Sequence, residues 1–113
     1  MATIYFVGTP TLSEGSHRIV RGADIANCGD RIDVIVVRYD DTSEAVVRRC
    51  REGGFYQPLI VMGVEEEHAR ISLLELGADV CLPSDTSSEA LEARIKALLW
   101  RYDHANPPNY SGF

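Results

Sequence analysis

The feature that most constrains this chain is a set of short apolar runs, Ile4–Val7, Val34–Val37, Leu59–Met62 and the shorter Val80–Leu82, none of them interrupted by a polar residue. A strand with one face in water alternates apolar and polar positions. An unbroken, largely β-branched or aromatic run therefore suits strands covered on both faces, as in a parallel sheet. Helical patterns lie between the runs. Glu44–Glu52 turns Val46, Val47 and Cys50 inward, Glu65–Leu76 forms a second pattern, and a third extends from Ser87 to about Tyr102. In the third, Leu91, Ile95, Leu98, Leu99 and Tyr102 follow i, i+4, i+7, i+8 and i+11 spacing, and Ser87 or Ser88 is placed to cap its free amides. Strands alternating with helices require right-handed crossovers, so the expected fold is α/β with a doubly wound parallel sheet.

Residues 10–32 are rich in Gly, Ser and Asp, and carry two weaker expectations: a short helix around His17–Val20 and a short strand near Asp24–Cys28. At the other end, Asn106-Pro107-Pro108-Asn109-Tyr110-Ser111-Gly112 cannot continue a helix, because proline lacks the amide donor and clashes with the preceding turn. Its composition is that of a linker. The chain of 113 residues, 45% of them hydrophobic, supports one core rather than two. The expected organisation is one folded domain over residues 1–104 and a linker over 105–113.

Charge and cysteine usage narrow the function classes. With 11 Lys+Arg against 17 Asp+Glu the formal charge is −6, which gives these residues no pull of their own toward nucleic acid phosphates or anionic lipid. Cys28, Cys50 and Cys81 form neither a CxxC pair nor an even disulfide set, so a reduced, cytoplasmic protein is expected. No apolar stretch is long enough to span a bilayer, and Met1-Ala2-Thr3 does not begin like a signal peptide.

In an α/β sheet, ligands and reactive groups gather at the carboxyl ends of the strands, which directs attention to Ser84 and Asp85 after Val80–Leu82. The other polar clusters have plain readings. Asp40-Asp41-Thr42-Ser43 fits a helix-capping turn, with a displaced phosphate acceptor as the alternative. Glu65-Glu66-Glu67 suits the first turn of a helix, where acidic residues complement the dipole. His17, His68 and His104 have no ligand-spaced partners, and Gly53-Gly54 lacks the spacing of a dinucleotide loop and fits a helix end. No metal, no cofactor and no enzymatic activity are expected, since no nucleophile and base can be named together.

The stretches "QPLIVMG", "EEEHARISLLELGADV" and "LEARIKALLWR" resemble the second half of a response-regulator receiver domain, most closely the branch whose receivers precede a winged-helix DNA-binding domain, the OmpR/PhoB-like regulators. The likeness runs without gaps from about Gln57 to Arg101. In the first half "IYFVGTP" fits the first strand and "RIDVIVVRY" the third, with a shortened stretch between them. The resemblance implies a CheY/flavodoxin-like receiver fold with a shortened first half. It also exposes departures. A working receiver takes a phosphoryl group on an aspartate ending the third strand, beside Mg²⁺ held by an acidic pair after the first, with a Ser or Thr after the fourth and a Lys after the fifth. Here Gly8 and Thr9 occupy the acidic pair's place, Arg38 the acceptor's, Gly63 the hydroxyl's, and Ser84 and Asp85 those of the lysine and the proline after it. Mg²⁺ requires carboxylate oxygens, and an arginine brings positive charge where the ion would sit.

Receivers of that branch dimerise through their fourth helix, fifth strand and fifth helix. The resemblance carries Leu73, Leu76 and Ala93 into the apolar patch and Asp79 and Arg94 into a cross-subunit ion pair. Arg70 and Arg101 match the basic members of two further pairs, whose acidic positions are Ala90 and Val80 here. Helical geometry sets Ile71 and Leu74 on one side of their helix and Leu73 and Leu76 on another, so one pair faces the core and the other seeks a partner. The resulting expectation is a phosphorylation-independent receiver of a transcriptional regulator that acts as a homodimerisation module, with DNA bound only by a C-terminal domain beyond these residues. The alternatives are a stand-alone adaptor for another protein and a small-molecule sensor in which Arg38 grips an anion.

Overall fold

The structure, a computed structural model, describes residues 3–8, 18–22 and 31–105. Strands β1 (Thr3–Val7), β2 (Arg18–Arg21), β3 (Val34–Arg38), β4 (Leu59–Met62) and β5 (Val80–Leu82) form one sheet in the order β2-β1-β3-β4-β5, with every neighbouring pair parallel. Helices α1 (Ser43–Glu52), α2 (Glu67–Leu76) and α3 (Ser88–Ala105) follow β3, β4 and β5 respectively.

Alternate residues of each apolar run serve opposite layers, as strand geometry requires. Tyr5, Ile35, Val37, Leu59 and Val61 pack with Val47 and Cys50 of α1 and Ala69 and Leu73 of α2. Ile4, Phe6, Val34, Val36, Ile60, Met62 and Leu82 pack on the other side with Leu91 and Ile95 of α3, supported by Leu98 and Leu99. The expected doubly wound α/β sheet is thus formed. Its helix ends follow local chemistry. Ser87 accepts the Ala90 amide on its hydroxyl and the Leu91 amide on its carbonyl, and Gly53 closes α1 by donating to the Arg49 carbonyl.

Arg18–Arg21 differs from expectation: it is strand β2, not part of a helix around His17–Val20. Four residues gain almost nothing as an isolated helical turn, because nucleation fixes several dihedrals for one hydrogen bond. Beside β1 the same residues pair from Thr3↔Arg18 to Phe6↔Arg21, and Ile19 and Val20 each join one of the two apolar layers. The strand expected near Asp24–Cys28 lies outside the described residues. So does residue 106 onward of the expected linker, while α3 itself continues past Tyr102 to Ala105.

One side chain ties the α1 layer to the sheet. The guanidinium of Arg51 donates to the carbonyls of Gly77 (3.0 and 2.7 Å), Phe55 (2.7 Å) and Gln57 (2.9 Å), and to Asp79 Oδ2 at 3.1 Å. Asp79 Oδ2 also accepts the Leu59 amide at 2.7 Å, and the Asp79 amide returns a bond to the Leu59 carbonyl at 2.9 Å. The end of α1, the start of β4 and the α2–β5 turn therefore meet at one arginine. Gly77 is fitted to it: its φ is +123°, and a Cβ there would stand 2.8 Å from Arg51 Cγ. Arg51→Ala should lower unfolding stability by about 2–3 kcal/mol, since several carbonyls lose a charged donor, whereas Arg49→Ala on the exposed side of α1 should change it by less than about 0.5 kcal/mol. Urea denaturation of both variants distinguishes them; equal effects would remove Arg51 from this role.

Candidate functional site

The carboxyl edge of the sheet collects Gly8 after β1, Arg38 at the end of β3, Gly63 after β4 and Ser84 after β5. Thr9 lies outside the described residues. The strand order reverses between β1 and β3, which sets Gly8 beside Arg38. Gly8 has φ +105°, and a Cβ built on it would lie 2.8 Å from Arg38 Cβ, with Arg38 Cδ and Cγ at 3.7 and 3.8 Å. The arginine stem therefore rests directly on the glycine. No side chain, acidic or otherwise, fits at position 8 without moving either the backbone or Arg38.

Beside this contact, Arg38, Tyr39, Met62, Gly63, Ser84 and Thr86 line a cleft of about 210 Å³. Among the described residues the Arg38 guanidinium has no hydrogen-bond or ion-pair partner. The hydroxyl and amide donors opposite it are already committed. Ser84 donates its amide and its hydroxyl to Glu65 Oε1 at 2.6 and 2.7 Å, and Thr86 donates its hydroxyl to the Pro83 carbonyl at 2.7 Å. The two Ser84 donors, the amide foremost, hold the Glu65 carboxyl below the usual glutamate range. From its sequence Glu65 is expected in the first turn of a helix. In the structure α2 begins only at Glu67, and Glu65 instead latches the β4–α2 loop to the β5–α3 loop. An acidic residue three positions past a strand and a serine just past the next strand are the only sequence trace of this pairing.

Asp40 is likewise committed. Its Oδ1 accepts the Thr42 hydroxyl (2.6 Å) and amide (2.7 Å), which lowers its pKa, the hydroxyl contributing most, and its own amide donates to Ser43 Oγ (2.8 Å). These bonds close the turn before α1.

Neither a protein-family model nor a curated protein matches the sequence. Solved structures do match. The receiver domain of the Francisella response regulator 1452 superposes with a TM-score of 0.75 at 18% identity, covering 91% of this chain and 100% of that one. A two-component response regulator from Clostridium difficile gives 0.76 at 18% identity, over 91% of this chain and 99% of that one. A response regulator receiver domain protein from Clostridium thermocellum gives 0.74 at 12% identity, over 94% and 100%. The chain has the receiver fold.

In that fold Gly8, Arg38, Gly63 and Ser84 stand together at the carboxyl edge of the sheet, at positions that the resemblance assigns to the phosphotransfer site, and α2, β5 and α3 are the elements that it assigns to pairing. The interface residues expected from sequence divide. Arg70, Ala93, Arg94 and Arg101 are exposed. Leu73 is not available to a partner: it is 0% exposed and packs in the core beneath α1 and α2, and Leu76 is half-buried against the same cluster. The outward apolar residues of α2 are Ile71 and Leu74, 48% and 41% exposed. The division of the helix into two apolar sides is correct, and the side facing outward is the opposite one. Asp79 is held within the chain through Oδ2 by Arg51 and the Leu59 amide, while its side chain stays 44% exposed. His68 is exposed, Cys50 is buried and Cys81 is half-buried, where desolvation raises its thiol pKa.

A larger cavity of about 350 Å³ lies at the opposite edge, before β3 and β4, lined by Arg31, Ile32, Asp33, Gly54, Tyr56, Gln57 and Leu99. It is remote from Gly8, Arg38, Gly63 and Ser84 at the carboxyl edge.

The Glu65 latch has a pH signature. A carboxylate whose folded pKa is depressed contributes stability that is present above its unfolded value, about 4.3, and lost as pH falls through the lower folded value. The Ser84 amide resonance should therefore move on acidification with its midpoint below the ordinary glutamate value, and Glu65→Gln should abolish the movement. A Ser84 transition centred at or above the ordinary glutamate value would contradict the latch.

Proposed function

We propose that this chain is a receiver domain without phosphotransfer, acting as a homodimerisation module of a transcriptional regulator. DNA would be bound only through a further domain of the polypeptide, since these residues carry a charge of −6. The observation that carries the reading is the contact between Arg38 and Gly8. It fills the place of the phosphate acceptor with a cation and excludes a carboxylate from position 8 as the backbone stands. Mg²⁺ would lack its oxygen ligands there, and Ser84 offers neither a lysine's charge nor spare donors.

What then remains for function is a surface. Ile71 and Leu74 are i, i+3 neighbours and form one apolar strip on α2, flanked by the exposed Arg70 and followed in the fold by the half-buried edge residues Val80 and Cys81 of β5. Ala93, Arg94 and Arg101 on α3 supply a small residue and positive charge to the same set of elements that the receiver branch uses for pairing. Exposed ion pairs contribute only about 0–1 kcal/mol, so Ile71 and Leu74 have to provide most of the association free energy.

A two-fold axis makes each contact occur twice, so one substitution removes two. Leu74→Glu should give a folded monomer, with the dimer dissociation constant raised on the order of a hundredfold or more. Leu73→Glu should instead unfold the chain, because it places a carboxylate in the core. Sedimentation equilibrium with circular dichroism separates these outcomes. A wild-type chain that stays monomeric at high micromolar concentration, or a Leu74→Glu variant that dimerises unchanged, would overturn self-association and favour an adaptor that presents the strip to another protein.

A further inference from the structure

The cleft beside Gly8 has the parts of a small-ligand site. It lies at the carboxyl edge of a parallel sheet, over the ends of β3, β4 and β5, and is lined by Met62, which is 4% exposed, and by Gly63. Its hydrogen-bonding inventory is one-sided. Ser84 and Thr86 have spent their donors on Glu65 and on the Pro83 carbonyl, so toward the cleft their hydroxyl oxygens offer lone pairs. The unspent donors are the Tyr39 hydroxyl and those of Arg38, whose guanidinium is without a partner among the described residues. Its stem lies along Gly8, which limits the rotamer freedom that gripping a ligand would otherwise cost. The exposed Tyr39 ring forms one wall.

We infer that this cleft binds a small oxyanion, held by bidentate hydrogen bonds from Arg38, with a hydroxyl or amine donor on the ligand facing the Ser84 and Thr86 oxygens. A guanidinium presents a planar fork that matches a carboxylate or a phosphoryl group, and the modest volume of about 210 Å³ admits a small molecule rather than a nucleotide. Glu65 serves the site indirectly: by taking both Ser84 donors it turns the serine into an acceptor. This site does not depend on whether the chain dimerises, and Leu74→Glu should leave it intact.

The test uses the ¹⁵N-labelled full chain at fixed ionic strength, titrated separately with 4-hydroxybenzoate and with inorganic phosphate. Both probes carry a hydroxyl donor, and the two arms distinguish an organic carboxylate from a phosphoryl group as the source of the oxyanion. Saturable movement of the Tyr39 and Gly63 amides and of the Arg38 Nε–H is expected with at least one probe. Arg38→Gln should weaken that binding at least about tenfold, while Arg49→Gln on the exposed side of α1 leaves it unchanged. Non-saturating shifts with both probes, or equal affinity in Arg38→Gln, would overturn the assignment. Arg38→Lys is the second variant: it keeps the charge but not the fork, so it should bind more weakly than wild type, and wild-type affinity in this variant would also overturn bidentate recognition.

Discussion

A parallel pair of strands cannot be closed by a tight turn. Each strand must be reached by a crossover passing over one face of the sheet, and from this constraint most of the molecule follows. The apolar runs become β1, β3, β4 and β5, with their side chains divided between two layers, one packed by α1 and α2 and the other by α3. The same constraint brings the strands' carboxyl ends, and the loops after them, to one edge. Residues far apart in the chain, Gly8, Arg38, Gly63 and Ser84, become neighbours without any of them having to seek another.

The two edges of the sheet are held differently. At the amino-terminal edge Arg51 and Asp79 bind mainly backbone groups, so the strand starts, the α1 end and the turn at Gly77 are fixed together. At the carboxyl edge the ties are lighter: a Glu65–Ser84 latch between two loops, and an arginine stem resting on a glycine.

How much was legible in the sequence follows from the kind of interaction involved. β3 and β4 could be read directly because an unbroken β-branched run has few other uses. β2 could not, because Arg18-Ile19-Val20-Arg21 carries one apolar pair between two charges, and only pairing with β1 decides its conformation. Arg51 was invisible because its partners are mostly carbonyls, which no pattern of side chains announces. On α2, apolar residues at positions 71, 73, 74 and 76 encircle much of the helix. Periodicity separated Ile71 and Leu74 from Leu73 and Leu76, but the packing of Leu73 with the α1 layer determines which pair is inside. The substitutions at the carboxyl edge were legible residue by residue through the resemblance. Their consequence, the contact between Arg38 and Gly8 and the redirection of Ser84 to Glu65, required the geometry.

The account rests on the claim that this edge no longer supports phosphoryl transfer to an aspartate. The direct test is intact-mass spectrometry of the chain after incubation with acetyl phosphate, with and without Mg²⁺, followed by peptide mapping. The predicted result is an unmodified mass under both conditions, because no group of carboxylates among the described residues is placed to hold a metal and Arg38 stands where the resemblance puts the acceptor. A magnesium-dependent phosphoryl adduct mapping to Asp40 or Asp41 would contradict it.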